Sequence, residues 1–139
     1  MTKTHDTLIG LHLGTPRWFV LSARLLPLGI LTQFLTAGMA LFSDVLDWPL
    51  HKASGAVLSI PIILLLIGAL SISRLRGFNW WIILVLLFYI LQVSLASTGS
   101  LLSLAFHPLN GALLLIASLV LVVKIERRLA KERIGFPSQ

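Results

Sequence analysis

The chain has 139 residues, of which 57% are hydrophobic and 12% charged, and its mean hydropathy of +0.96 exceeds what soluble globular domains reach. So few charges cannot cover a domain with a polar surface, which makes lipid the outer solvent and excludes a cytosolic enzyme. Cysteine is absent, excluding disulfides, iron–sulfur clusters and covalently attached c-type haem, so any bound metal must use nitrogen or oxygen ligands.

In chain order, residues 1–15 read as a polar N-terminal lead, with His5 and His12 solvated. Thr15-Pro16 then reads as an N-cap followed by proline in the first helical turn. Charge-free runs of 19, 21 and 47 residues follow, at Leu25 to Ser43, Ala53 to Ser73 and Gly77 to Val123, against about 20 needed to cross a bilayer. The third run divides at the small polar cluster Ser97-Thr98-Gly99-Ser100. Four transmembrane helices are therefore predicted, at about 16–42, 48–73, 78–97 and 101–130, making 16–130 a single bundle and 131–139 a cytoplasmic tail. Pro27 is expected to kink the first helix. A cleaved signal peptide ending near Ala37-Gly38-Met39-Ala40 is the alternative reading of that helix.

Short connections imply an all-α, up-down-up-down four-helix bundle. Ten of the eleven basic residues cluster at one face: Lys3, Arg17 and Arg24, then Arg74 and Arg76, then Lys124, Arg127, Arg128, Lys131 and Arg133. The net charge of +6 thus reads as membrane orientation and not as a nucleic-acid surface, with both termini in the cytoplasm of a multi-pass inner-membrane protein. Trp18, Trp48, Trp80 and Trp81 fall at span ends as interfacial anchors. The basic segment from Lys124 to Arg133 reads as a solvated helical extension at the anionic inner leaflet.

The second and fourth spans carry the same short pattern. His51-Lys52-Ala53-Ser54-Gly55-Ala56 aligns with His107-Pro108-Leu109-Asn110-Gly111-Ala112, and Gln33-Phe34-Leu35-Thr36-Ala37 of span one aligns with Gln92-Val93-Ser94-Leu95-Ala96 of span three. The histidines are 56 residues apart and the glutamines 59. Two tandem helical hairpins related by a pseudo-twofold axis along the membrane normal account for this. Spans two and four then run parallel, with His51 and His107 at similar depth near the outer face. Glycine four residues on, at 55 and 111, removes a side chain beneath each imidazole.

That set suits a haem b clamped between the two helices, with His51 and His107 as axial ligands to iron and Gly55 and Gly111 where the macrocycle passes. The alternative is close helix packing over small residues, with the histidines as interface polar groups. Zinc or copper would want three or four ligands, and the outer face adds only Asp44 and Asp47. No catalytic constellation appears. Gln33 and Gln92 read as interhelical hydrogen-bonding residues or as a second shell around the cofactor, expected deeper than the histidines and out of contact with the imidazoles. Asp44, Asp47 and Lys52, with Ser97, Thr98 and Ser100, form a polar outer rim or a contact for haem propionates. If Pro108 starts the fourth helix, His107 becomes a cap residue facing water.

Asp47-Trp48-Pro49-Leu50-His51, Ile90-Leu91-Gln92 and Phe106-His107 resemble elements of haem A synthase, a family built from two related four-helix bundles with a histidine pair on helices two and four. The likeness covers about residues 28–123. It implies a haem-binding bundle, and since only one bundle is present it does not imply haem A synthesis by this chain alone. The His107-Pro108-Leu109-Asn110 element is also similar to one in small bacterial four-helix membrane proteins. The chain therefore reads as a small b-type cytochrome, an electron-transfer protein or oxidoreductase subunit with a redox partner in or beside the lipid bilayer. The alternative is a cofactor-free accessory subunit of a larger respiratory or photosynthetic complex.

Overall fold

The computed structural model describes residues 6–42 and 48–135, and they are overwhelmingly helical. Helix α1 spans Arg17–Phe42, α2 Trp48–Val57, α3 Ser59–Ser71, α4 Asn79–Ser97 and α5 Leu101–Gly135, with short 3-10 turns at Leu11–Leu13 and Ser73–Phe78. Taken as Arg17–Phe42, Trp48–Ser71, Ser73–Ser97 and Leu101–Gly135, four segments are long and apolar enough to cross a membrane. This is a multi-pass membrane bundle.

The expected second helix is two. It breaks at Leu58, whose amide turns back to Gly55 O at 3.2 Å. Pro61 explains the break: it has no N–H for the carbonyl four residues earlier, and it is tolerated only in the first turn of α3. Side chains serve carbonyls near the break, Ser59 Oγ donating to Ala56 O at 2.7 Å and Tyr89 Oη to Gly55 O at 3.2 Å. Leu58 itself turns inward and is buried, into space that a side chain at Gly29 would fill.

Helix α1 continues through Pro27, and α5 through Pro108 to Gly135. His107 is therefore a helical residue and not a cap. The turn between α4 and α5 is made by Gly99, whose φ of 67° is a conformation few other residues adopt.

Packing is uneven along the bundle. Phe19, Ala23, Leu26 and Ile30 of α1 meet Ile62, Leu65 and Ala69 of α3, Ile82 and Val85 of α4, and Leu114, Leu121 and Ile125 of α5 in one buried cluster. The spacings are those of one helical stripe from each element. Leu75 and Phe78 of the 3-10 turn complete the cluster, with the Phe19 and Phe78 rings 5.8 Å apart. Past Val85, α4 buries no further residue. The opposite end of the bundle holds a cavity instead of a core.

At the well-packed end the N-terminal lead is a built part of the fold. Arg128 is fully buried, correcting the expectation of a solvated basic extension. Its guanidinium donates to Thr7 O and Ile9 O at 2.8 Å, to Gly10 O at 3.3 Å and to Thr15 Oγ1 at 2.8 Å. Glu132 balances the charge at 3.0 Å and accepts from Thr15 at 2.7 Å. Arg74 Nε holds Gly14 O at 2.8 Å. A planar fork that serves three carbonyls at once is what arginine provides and lysine does not. His12 is exposed as expected; His5 and Lys3 lie outside the described residues. Trp81 lies under the Lys124 ammonium, 4.5 Å from the ring centre.

Candidate functional site

The cavity at the less-packed end encloses about 560 Å³ and has His51, His107, Gly55, Gly111, Gln33 and Gln92 all on its wall. Its lining reproduces the sequence repeat. From α1 and α4, Ile30 pairs with Tyr89, Gln33 with Gln92, Phe34 with Val93 and Ala37 with Ala96. From the second and fourth segments, His51 pairs with His107, Lys52 with Pro108, Gly55 with Gly111 and Leu58 with Leu114. Only Ala56 and Ser97 lack a counterpart in the wall. The two halves thus surround one cavity with equivalent positions.

The imidazoles of His51 and His107 are neighbours in the cavity, in an edge-on contact with ring centres 6.4 Å apart and planes inclined at 67°. Both are half-buried. The Thr36 hydroxyl lies 3.0 Å from His51 Nδ1 and donates to Gln33 O at 3.1 Å. With its one proton spent there, that hydroxyl accepts from His51 Nδ1–H. The His51 ring also bonds the Gln33 backbone. In the other half, His107 Nδ1 is 3.1 Å from Gln92 O, and His107 Nε2 is 3.1 Å from Gln92 Nε2. Each imidazole is therefore oriented by the glutamine segment of its own hairpin.

This corrects the expectation that the glutamines lie deeper than the histidines and do not touch them. Gln92 and His107 stand seven and eight residues from Gly99, on opposite arms of one hairpin, and so at the same level. The glycines also act differently from the expectation. A side chain at Gly55 would meet the Gln33 amide at 3.1 Å, and one at Gly111 would meet Gln92 Nε2 at 3.2 Å. The gap that each glycine opens is taken by the amide of its partner glutamine.

The residue before each glycine anchors that amide. Ser54 Oγ is 2.6 Å from the Gln33 amide, and with its nitrogen toward His51 O and its oxygen toward the Gly55 amide, both at 3.0 Å, that amide is satisfied at both ends. Asn110 does the same for Gln92, donating from Nδ2 to Gln92 Oε1 at 2.6 Å and to Phe88 O at 2.9 Å. The sequence assigned no role to Thr36, Ser54 or Tyr89, and Asn110 entered only as part of the His107-Pro108-Leu109-Asn110 element. The signal for Ser54 and Asn110 was their shared place one residue before the repeated glycine.

Lys52 and Ser97 stand at the cavity wall, and Thr98 and Ser100 are exposed in the turn beyond it. Asp44 and Asp47 lie outside the described residues. Among the described residues no cluster of three or more His, Asp or Glu side chains offers a metal a closed protein site. What the cavity does offer, among the described residues, is two oriented imidazoles, an apolar wall of Ile30, Phe34, Leu58, Val93 and Leu114, and one cation, Lys52.

Residues 33–99 are similar to a family of unknown function (DUF6220), a stretch that includes Gln33, His51, Gly55 and Gln92 and ends before His107. No curated protein and no solved structure matches the chain.

Proposed function

We propose that the chain is a small b-type cytochrome of a bacterial inner membrane, binding haem b between its second and fourth membrane segments through His51 and His107. The observation that carries this reading is the separation of the two imidazoles. Metal–imidazole bonds are about 2 Å long, so two imidazoles on opposite sides of one metal ion hold their ring centres about 6 Å apart. The rings of His51 and His107 are 6.4 Å apart in an edge-on contact, the spacing such a pair needs, with His107 Nε2 turned to Gln92 until that amide is displaced. A cavity of about 560 Å³ also falls within the range of about 300–1,000 Å³ common to cofactor and ligand sites.

Haem held there would supply one-electron redox chemistry. The chain's own part is to present two imidazole nitrogens, to keep water away with Phe34, Leu58 and Leu114, and to place Lys52 at the wall for a carboxylate edge. In this reading the helices run up-down-up-down with both termini cytoplasmic, following the ten basic residues gathered at one face. The histidine pair then lies toward the outer surface, where a periplasmic or quinol donor has access. The resemblance to one bundle of haem A synthase supports the same assignment.

One observation favours a cofactor-free packing role in a larger membrane complex: both imidazoles already have hydrogen-bond partners within the chain. Absorption spectra decide between the two. The protein is purified in mild detergent after expression with haem supplied, as wild type, His51→Ala and His107→Ala. The cytochrome reading expects a sharp low-spin b-type band on reduction that each substitution abolishes or converts to high spin. A wild-type protein that stays colourless with haem in excess overturns it in favour of the packing role.

A further inference from the structure

We propose that Gln92, held by Asn110, is a positioning residue that fixes His107 with its proton on Nδ1 and covers the Nε2 lone pair with its own amide N–H. The hydrogen-bond chain leaves one consistent assignment. Asn110 Nδ2 can only donate, and it lies 2.6 Å from the Gln92 amide oxygen and 2.9 Å from Phe88 O. The other end of the Gln92 amide is then a donor, and it points at His107 Nε2 from 3.1 Å. A ring nitrogen that receives an N–H must present its lone pair, so the imidazole proton sits on Nδ1. Nδ1 in turn lies 3.1 Å from Gln92 O, which can only accept. Each end of the chain independently requires the same tautomer.

Gly111 and Phe34 make this placement possible. A side chain at 111 would stand 3.2 Å from Gln92 Nε2 and 3.3 Å from the Phe34 ring, so it would push the amide by a few tenths of an ångström from its place over the glycine. The first half is built otherwise, with Ser54 where the second has Asn110 and with the Thr36 hydroxyl at His51 Nδ1. The two halves of a duplicated site thus prepare their imidazoles differently. At His107, any ligand that takes Nε2 must displace the Gln92 amide, which makes Gln92 a latch on that nitrogen.

This inference rests on the cytochrome reading only for the identity of the incoming ligand, and its test separates the two. Imidazole nitrogen NMR spectra of the full-length, cofactor-free protein in detergent, assigned with His51→Ala, report the tautomer and whether Nε2 is hydrogen-bonded. Wild type should show His107 protonated at Nδ1 with a hydrogen-bonded Nε2. In Gln92→Leu the Nε2 signal should move to the position of an unbonded lone pair, and added haem should bind about fivefold tighter, the worth of one neutral hydrogen bond. In Gln92→Glu the carboxylate should draw a proton onto Nε2 and weaken haem binding by about tenfold or more, the sense expected when an acceptor replaces a donor at a ligating nitrogen. Substitutions acting only on packing would move both affinities the same way. A wild-type His107 protonated at Nε2 overturns the proposal even if neither variant folds. A protein with the expected tautomer that binds no haem overturns the cytochrome reading and leaves the latch standing.

Discussion

Gln92 meets His107 at both ring nitrogens, through its side-chain amide at Nε2 and its backbone carbonyl at Nδ1, each at 3.1 Å. In the first half the same work is divided, with Thr36 taking the place of the side-chain contact but at the opposite nitrogen of His51. A hydroxyl that donates to Gln33 O has its one proton committed and meets the ring as an acceptor.

Thr36→Val keeps the shape and removes the hydroxyl. The expected cost is about 0.6–1 kcal/mol, the range for a single hydrogen bond inside a membrane bundle. Thermal unfolding in detergent should show a small loss, with His51 losing its tautomer preference while His107 keeps its own. An unchanged His51 spectrum would mean that the Gln33 backbone alone holds the ring.

Asn110 is 4% exposed and acts as a donor to two oxygens, Phe88 O and Gln92 Oε1. Asn110→Asp keeps the size and places a carboxylate against both. That pairing of acceptors at a buried position should cost several kcal/mol or force the acid to stay protonated. Asn110→Ser, which installs the residue that the first half uses at 54, should be far milder. Unfolding midpoints of the two variants side by side provide the check, and equal losses would contradict the donor role.

Much of this was readable before any coordinates. The four spans follow from charge-free runs, and the repeat marked Gln33, Gln92, His51, His107, Gly55 and Gly111, which all stand on one cavity wall, although the glutamines were expected deeper than the histidines. The break at Leu58 was missed because it lies within an apolar run; its signal was Pro61, whose effect appears three residues earlier. The contact between Gln92 and His107 is not legible from span positions, because it follows from the Gly99 turn that the two residues share. Arg128 was missed because its neighbours in sequence are solvated cations. Yet it continues the buried stripe of Leu114, Leu121 and Ile125 at helical spacing, and that periodicity marked it as inward-facing.

Two glycines of the membrane segments make opposite predictions. A side chain at Gly68 would stand 2.7 Å from both the Phe19 and Trp18 rings, and Phe19 is fully buried against Phe78. The Phe19 ring, buried and held by Phe78, cannot swing away, so Gly68→Ala should destabilise by about 1–3 kcal/mol, as overpacking does. Around Gly38 there is nothing within 4 Å, and Gly38→Ala should be neutral or slightly stabilising through helix propensity. Reversible unfolding of both variants in one detergent compares them directly. A neutral Gly68→Ala would show that this end of the bundle is looser than its packing indicates.

Arg128 and Arg24 separate a structural charge from a surface one. Arg24 pairs with Glu126 at 2.7 Å, but both side chains are about half exposed, and exposed pairs contribute little. Arg24→Ala should leave stability unchanged within error. Arg128 is fully buried and joins Thr7, Ile9, Gly10 and Thr15 to α5. Arg128→Met removes the charge, leaves those carbonyls without donors and strands Glu132, for an expected loss of about 3–5 kcal/mol. The loss should be local first: amides of residues 6–16 should exchange faster and the segment should become open to protease, while α4 and the histidine pair keep their protection. Arg128→Lys should not restore it, because one ammonium cannot reach three carbonyls and a hydroxyl arranged around a planar fork. Hydrogen exchange on wild type and both variants reads this directly, and full protection of residues 6–16 in Arg128→Met would show that the lead is held by its apolar contacts instead.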